Sequence, residues 1–110
     1  MGRSQLSLRN REGIDSAGDG LINLTRPTIS GTAQAGQTLT GTNGTFRGNS
    51  TITIARQWLK NGVVIGGATN ATYVVQAGDV GTTITFRNVA TNVFGSVTST
   101  SAATAAVIAA

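Results

Sequence analysis

Two residue types are missing from this chain. With no cysteine and no histidine among 110 residues, it offers no disulfide framework, thiol nucleophile, imidazole base or Cys/His metal site. The lack of cysteine leaves the compartment open, because disulfide-free proteins occur both inside and outside the cell. Carboxylates are almost as scarce: Glu12, Asp15, Asp19 and Asp79 are the four acids. A hydrolase built on paired carboxylates needs two convergent acids on a rigid frame, and after residue 26 only Asp79 remains. Serine and threonine hydroxyls abound, yet the sole lysine, Lys60, is the one base left to activate them, and it adjoins a tight turn open to solvent. No enzymatic activity is expected. Asp15, Gly18 and Asp19 lack the repeated acidic spacing and closing Glu of a calcium loop. Neither Gly66-Gly67 nor the glycines of 13–20 precede the Lys-Ser/Thr of a phosphate loop. No metal and no cofactor is expected.

Long apolar runs are absent too. Nothing approaches the roughly 20 apolar residues of a membrane helix, and no apolar stretch of about 7 to 15 residues follows the basic segment 1–11, as a secretory leader would require. Neither a membrane partner nor a leader is expected. The formal charge is +4, but the cations Arg3, Arg9, Arg11, Arg26, Arg47, Arg56, Lys60 and Arg87 are scattered, with no dense stripe and no interleaved aromatics. No nucleic-acid partner is expected; the charge suits solubility and attraction to an acidic protein surface. Four Asn-x-Ser/Thr sequons begin at Asn23, Asn43, Asn49 and Asn70, which a threonine-rich chain produces by chance.

What the chain does have is threonine and turns, the balance of a strand former. Residues 1–26 stand apart: they hold three of the four acids and none of the aromatics Phe46, Trp58, Tyr73, Phe86 and Phe94. Their apolar residues Leu6, Leu8, Ile14, Leu21, Ile22 and Leu24 follow no sustained helical or strand period, so an extended arm is expected there, ordered against another polypeptide. From Pro27 onward, short β-rich runs alternate with turn signals. Strands are expected over 28–31, 37–41, 51–59, 63–65, 71–75, 82–91 and from 95 to about 107, with Asn61-Gly62 as a hairpin turn. Phe46 falls in a loop-rich segment, 42–50, as a plug for one end of the core. Alternation places Ile84, Phe86, Asn88 and Ala90 on one inward face, and Ile52, Ile54, Arg56 and Trp58 on another. Each face carries one polar residue. Arg56 and Asn88 either satisfy one another or Arg56 runs its stem along the core to solvent.

These motifs have a familiar order. Pro27-x-Ile29-x-Gly31, Ala35-Gly36-Gln37-Thr38-Leu39-Thr40, Gln57-Trp58, Asn61-Gly62, Ile65-x-Gly67-Ala68-Thr69, Thr72-Tyr73, Asp79-Val80-Gly81, Ile84, Ala90-Thr91-Asn92 and Gly95 together resemble the bacterial and phage immunoglobulin-like modules of phage structural and bacterial surface proteins. The resemblance spans residues 27–110 and implies an all-β, immunoglobulin-like sandwich of about seven strands behind the arm. It implies that Trp58 is the central core tryptophan, that Asp79 and Gly81 form the turn before the penultimate strand, and that Tyr73, Ile84 and Phe86 pack around them. The antibody-type cysteine pair and the corner tyrosine are absent, and Asn88 stands where such modules carry an apolar residue.

The sandwich is a scaffold for many tasks, so two functions are carried forward. One is a phage virion structural protein, of the capsid decoration or cement type, on the capsid surface. Its arm would contact the major capsid protein, other virion subunits or a sister copy, with Arg3, Arg9 and Arg11 as ionic contacts and Leu6, Leu8, Leu21, Ile22 and Leu24 as apolar anchors. The other is a carbohydrate-binding or cell-surface adhesion module, which requires exposed aromatics. The candidates are Phe46, Tyr73 and Phe94, of which Tyr73 is expected to pack inward, and Phe46 and Phe94 exposed close together would favour it.

Overall fold

The structure, a computed structural model, describes residues 21–110. In chain order the described strands are β1 (Ile22–Thr25), β2 (Thr28–Ser30), β3 (Thr38–Thr42), β4 (Thr45–Arg47), β5 (Thr53–Lys60), β6 (Val63–Val64), β7 (Thr72–Val74), β8 (Ile84–Asn92) and β9 (Gly95–Thr100), with one 3-10 turn, Ala77–Asp79, before β8. No α-helix occurs among the described residues, and the all-β character expected from the composition is present. The strands form three antiparallel sheets, ordered β2-β3-β7, β6-β5-β8-β9 and the pair β1-β4.

The two larger sheets meet through their apolar sides. Period-two alternation drives this: Ile84, Phe86, Asn88 and Ala90 of β8 are all fully buried, while Thr85, Arg87 and Val89 between them are partly open. Leu39 from the smaller sheet packs with Trp58, Ile84 and Phe86 from the larger, and Val75 and Val107 close the cluster. Trp58 is its centre, with ring centroids 4.6 Å from Phe86 and 5.8 Å from Tyr73. Its indole N–H donates to the Asn70 carbonyl at 2.8 Å, which satisfies the one polar group the ring carries inward. On β3 the inward position two residues after Leu39 is Gly41, and a Cβ there would stand 2.7 Å from the Phe86 ring. The large aromatic on one sheet is matched by the missing side chain on the other.

Most strands shift by one or two residues from expectation, β5 starting at Thr53, past Ile52, and β8 at Ile84, and three departures are larger. The last strand, expected to run to about residue 107, ends at Thr100, although the chain keeps following β8: the N–H groups of Ser101, Thr104 and Val107 donate to the carbonyls of Phe86, Ile84 and Thr82 at 2.8–2.9 Å. The reason is that hydroxyls replace main-chain acceptors there. Ser101 Oγ accepts from Phe86 N at 2.9 Å and Thr104 Oγ1 from Ile84 N at 3.1 Å, so the bonds persist without ladder geometry. Phe46 is no loop plug: it lies within β4, half-buried, opposite Asn23. Finally, Ile22–Thr25, placed in the arm by sequence, form β1 on the body itself.

Candidate interaction surface

The strand that continues from residues 1–20 is β1, and the body holds it by polar side chains. β1 pairs with β4 in the register Ile22↔Arg47, Asn23↔Phe46 and Thr25↔Thr45, with a bulge at Leu24. A bulge leaves ladder carbonyls without partners, and the Asn23 amide supplies them, donating to the Thr25 carbonyl at 2.7 Å and the Thr45 carbonyl at 3.1 Å. Its other end ties the ribbon to the body, since Ser99 Oγ of β9 donates to Asn23 Oδ1 at 2.9 Å. Thr25 and Thr45 add a hydroxyl pair at 2.8 Å, and Arg26 Nε donates to the Thr100 carbonyl at 3.0 Å.

The second tie is Asn88. Its amide is fully buried yet paired at both ends: Oδ1 accepts from Gly44 N at 2.8 Å, and Nδ2 donates to Asn43 Oδ1 at 3.1 Å. This fastens the turn between β3 and β4 onto the centre of β8. Gly44 permits the contact because a Cβ there would run into the Thr25 carbonyl and the Pro27 nitrogen. An inward asparagine on an otherwise apolar face therefore has a purpose, as a buried polar group must be paired to be tolerated. Arg56 lies directly opposite Asn88 in the ladder, but Asn88 is satisfied from the β4 side, and Arg56 is half-buried.

Of the residues proposed from sequence as docking contacts, Arg3, Leu6, Leu8, Arg9 and Arg11 lie outside the described residues. Leu21 is half-buried, whereas Ile22 and Leu24 are 43% and 54% exposed on the ribbon, with exposed Arg47 opposite Ile22. The ribbon thus presents two apolar side chains and a cation at the point where the leading segment joins the body. Sequence reasoning singled out Ile22 and Leu24 but missed Asn23, Asn43, Gly44 and Ser99, which position them. The one available signal was Asn88 breaking the apolar phase of β8.

Trp58, Tyr73, Ile84 and Phe86 lie in or against the core cluster, and Asp79 and Gly81 lie in the turn before β8. Asp79, buried, accepts from the Tyr73 hydroxyl at 2.5 Å and from Gln76 N at 2.9 Å, and Lys60 Nζ stands 3.3 Å from its other oxygen. Burial pushes this carboxyl up, but the bonds from Tyr73, Gln76 and Lys60 outweigh it and hold the carboxyl below its ordinary range. The same burial, reinforced by the carboxylate, drives the Tyr73 hydroxyl well above its ordinary value. Lys60, read from sequence as a solvated turn residue, is an ion-pair partner. Gly81, at φ +87, makes the corner that launches β8. Tyr73 supplies the aromatic anchor for that corner from β7, where sequence had shown only the loss of a corner tyrosine.

The aromatics sought for a sugar site are separated in character: Phe94 is 59% exposed beyond the end of β8, Phe46 is half-buried in β4, and Tyr73 packs on Trp58. Among the described residues no group of three or more His, Cys, Asp or Glu side chains could hold a metal ion, and no described helix is long and apolar enough to cross a membrane. No family model matches the chain, and comparison with curated proteins and with solved structures finds no match.

Proposed function

We propose that the chain is a non-enzymatic structural protein of a phage virion, an immunoglobulin-like decoration or cement module that docks on the capsid surface through its leading segment. The observation that carries this reading is the mounting of β1. The strand continuous with residues 1–20 is bolted to the body through Asn23, Ser99, Asn43, Gly44 and Asn88 while Ile22 and Leu24 remain exposed. A segment anchored in this way transmits its attachment to a rigid body, which a simple flexible terminus does not. The apolar side chains of Leu6, Leu8, Ile22 and Leu24 supply surface for burial against a capsid subunit, and Arg3, Arg9 and Arg11 supply screened ionic contacts.

The test is co-sedimentation of the full chain with phage heads assembled without it, over a range of salt concentrations. The variant Arg3→Glu/Arg9→Glu/Arg11→Glu is expected to bind about tenfold more weakly at low salt, with the difference shrinking as salt rises. Binding of the triple variant equal to that of the unaltered chain would remove the leading segment from the interface.

A further inference from the structure

The smaller sheet has an unfinished edge. β7 pairs with β3 in the register Thr38↔Val74, Leu39↔Tyr73 and Thr40↔Thr72, and the flanking bonds Gly41 N to Ala71 O and Val75 N to Gln37 O set the alternation of the ladder. The main-chain groups of Tyr73 therefore face Leu39, and those of Thr72 and Val74 face the opposite side. There the sheet order ends. A groove runs along this edge, lined by Ile65, Gly66, Gly67, Asn70, Tyr73 and Gln76 among others. Its far wall is the turn Ile65-Gly66-Gly67-Ala68, closed by Ala68 N to Ile65 O at 3.1 Å and held to β5 by Trp58 N to Ala68 O at 2.9 Å. Gly66 and Gly67 have open space where side chains would stand, and Val74 is 49% exposed. The Gln76 amide caps the Val74 carbonyl at 2.8 Å, a side chain standing in for a neighbouring strand.

The leading segment contains a matching strip. Gln5-Leu6-Ser7-Leu8-Arg9 alternates polar and apolar residues over five positions, the pattern of a strand with one face to bury. The two features lie at opposite flanks. β1 is tied to β9, one edge of the four-stranded sheet, whereas the groove wall hangs from β5 near the other edge. A donor on one flank and an acceptor on the other is the arrangement of a head-to-tail contact, which propagates through many copies.

We propose that the groove beside β7 receives residues 5–9 of a second copy of this chain as an added strand. Main-chain bonds to Thr72 and Val74 give the affinity, and Leu6 and Leu8 are buried against Ile65 and Tyr73 on the inner face, which leaves Ser7 beside exposed Val74 on the outer one. The inference rests on the reading of the leading segment as a docking element and names a sister copy as its partner.

The experiment is sedimentation of the full-length chain in free solution across a wide concentration range. The unaltered chain is expected to associate reversibly. Thr72→Pro removes an edge N–H that the β3 ladder does not use and adds a ring in the way of an incoming strand, so it is expected to melt like the unaltered chain and to associate at least tenfold more weakly. Should Thr72→Pro fail to fold, Leu6→Ser/Leu8→Ser, which leaves the described body untouched, carries the same expectation. A mixture of Ser7→Cys and Val74→Cys chains, each with one thiol on the outer face, is expected to yield a disulfide-linked heterodimer on mild oxidation. The proposal is overturned by a chain that stays monomeric throughout, by association that both edge and segment variants leave unchanged, or by a Ser7→Cys/Val74→Cys double variant that closes its disulfide within one copy. Head attachment is read separately by co-sedimentation, so a monomeric chain that still binds heads sinks this inference alone.

Discussion

The two ends of the body are held together by different forces. At one end Leu39, Trp58, Ile84 and Phe86 bury apolar surface from two sheets, and stability there grows with area removed from water. At the other, β1 and β4 form a two-stranded ribbon secured by the amides of Asn23 and Asn88 and the hydroxyls of Thr25, Thr45 and Ser99. A two-stranded ribbon is marginal by itself in water, so its order depends on directional bonds that contribute only about 0.5 to 1.5 kcal/mol each. The difference teaches that the fold's stability and the mounting of its leading segment are separable, and can be altered one at a time.

The largest effect should come from the apolar end. Trp58→Ala is expected to lower the unfolding free energy by about 3 to 5 kcal/mol in denaturant titration, with every strand lost together. An effect under about 1 kcal/mol would place the core elsewhere. Next comes Asp79→Ala, which takes the charged acceptor from the part-buried Tyr73 hydroxyl and Gln76 N–H and should cost about 1.5 to 3 kcal/mol. Because the Asp79 carboxyl titrates below its ordinary range when folded, its contribution is complete above that ordinary range and fades as pH falls through the folded value. The Tyr73 hydroxyl, raised in the folded state, contributes fully below its ordinary value near 10 and loses that contribution as pH rises beyond it. Melting curves of the unaltered chain should therefore weaken at both extremes, and the acid limb should flatten in the Asp79→Ala variant. The alkaline limb should flatten in Tyr73→Phe.

Smaller and local effects are expected at the polar end. Asn88→Ala leaves Gly44 N without its acceptor and should cost about 1 to 3 kcal/mol, with amide exchange rising first in β4 and β1 and last in β8. Exchange rising equally along β8 would mean that the ribbon and the core open as one unit. The smallest change belongs to Asn23→Ala, about 1 kcal/mol, visible as faster exchange at Thr25 and Thr45 with the global melt almost unmoved.

This contrast also explains what could be read from sequence. Apolar alternation leaves a trace in the chain, so the buried face of β8, the inward Trp58 and the Asn61-Gly62 hairpin between β5 and β6 were all legible. Asp79 and Gly81 were singled out through the resemblance, whose turn before the penultimate strand they match. The ribbon was not, since Ile22-Asn23-Leu24-Thr25 carries too short an alternation to distinguish a strand from a tail, and its bulge breaks what alternation there is. Its supporting bonds join residues far apart in sequence, Asn23 to Ser99 and Asn43 to Asn88, and a single chain gives no sign of such pairings. Ser101 and Thr104 misled for a related reason: their hydroxyls continue the pairing with β8 after the regular strand has ended.

At the centre of this account is a proposed division of labour, in which the body folds through its own contacts and the leading segment is assigned the attaching. Deletion of residues 2–20 keeps β1 with the body and tests both halves in one comparison. The shortened chain should melt within a few degrees of the full chain and fail to co-sediment with phage heads. A shortened chain that still binds heads as tightly as the full chain, or one that no longer folds, would contradict it.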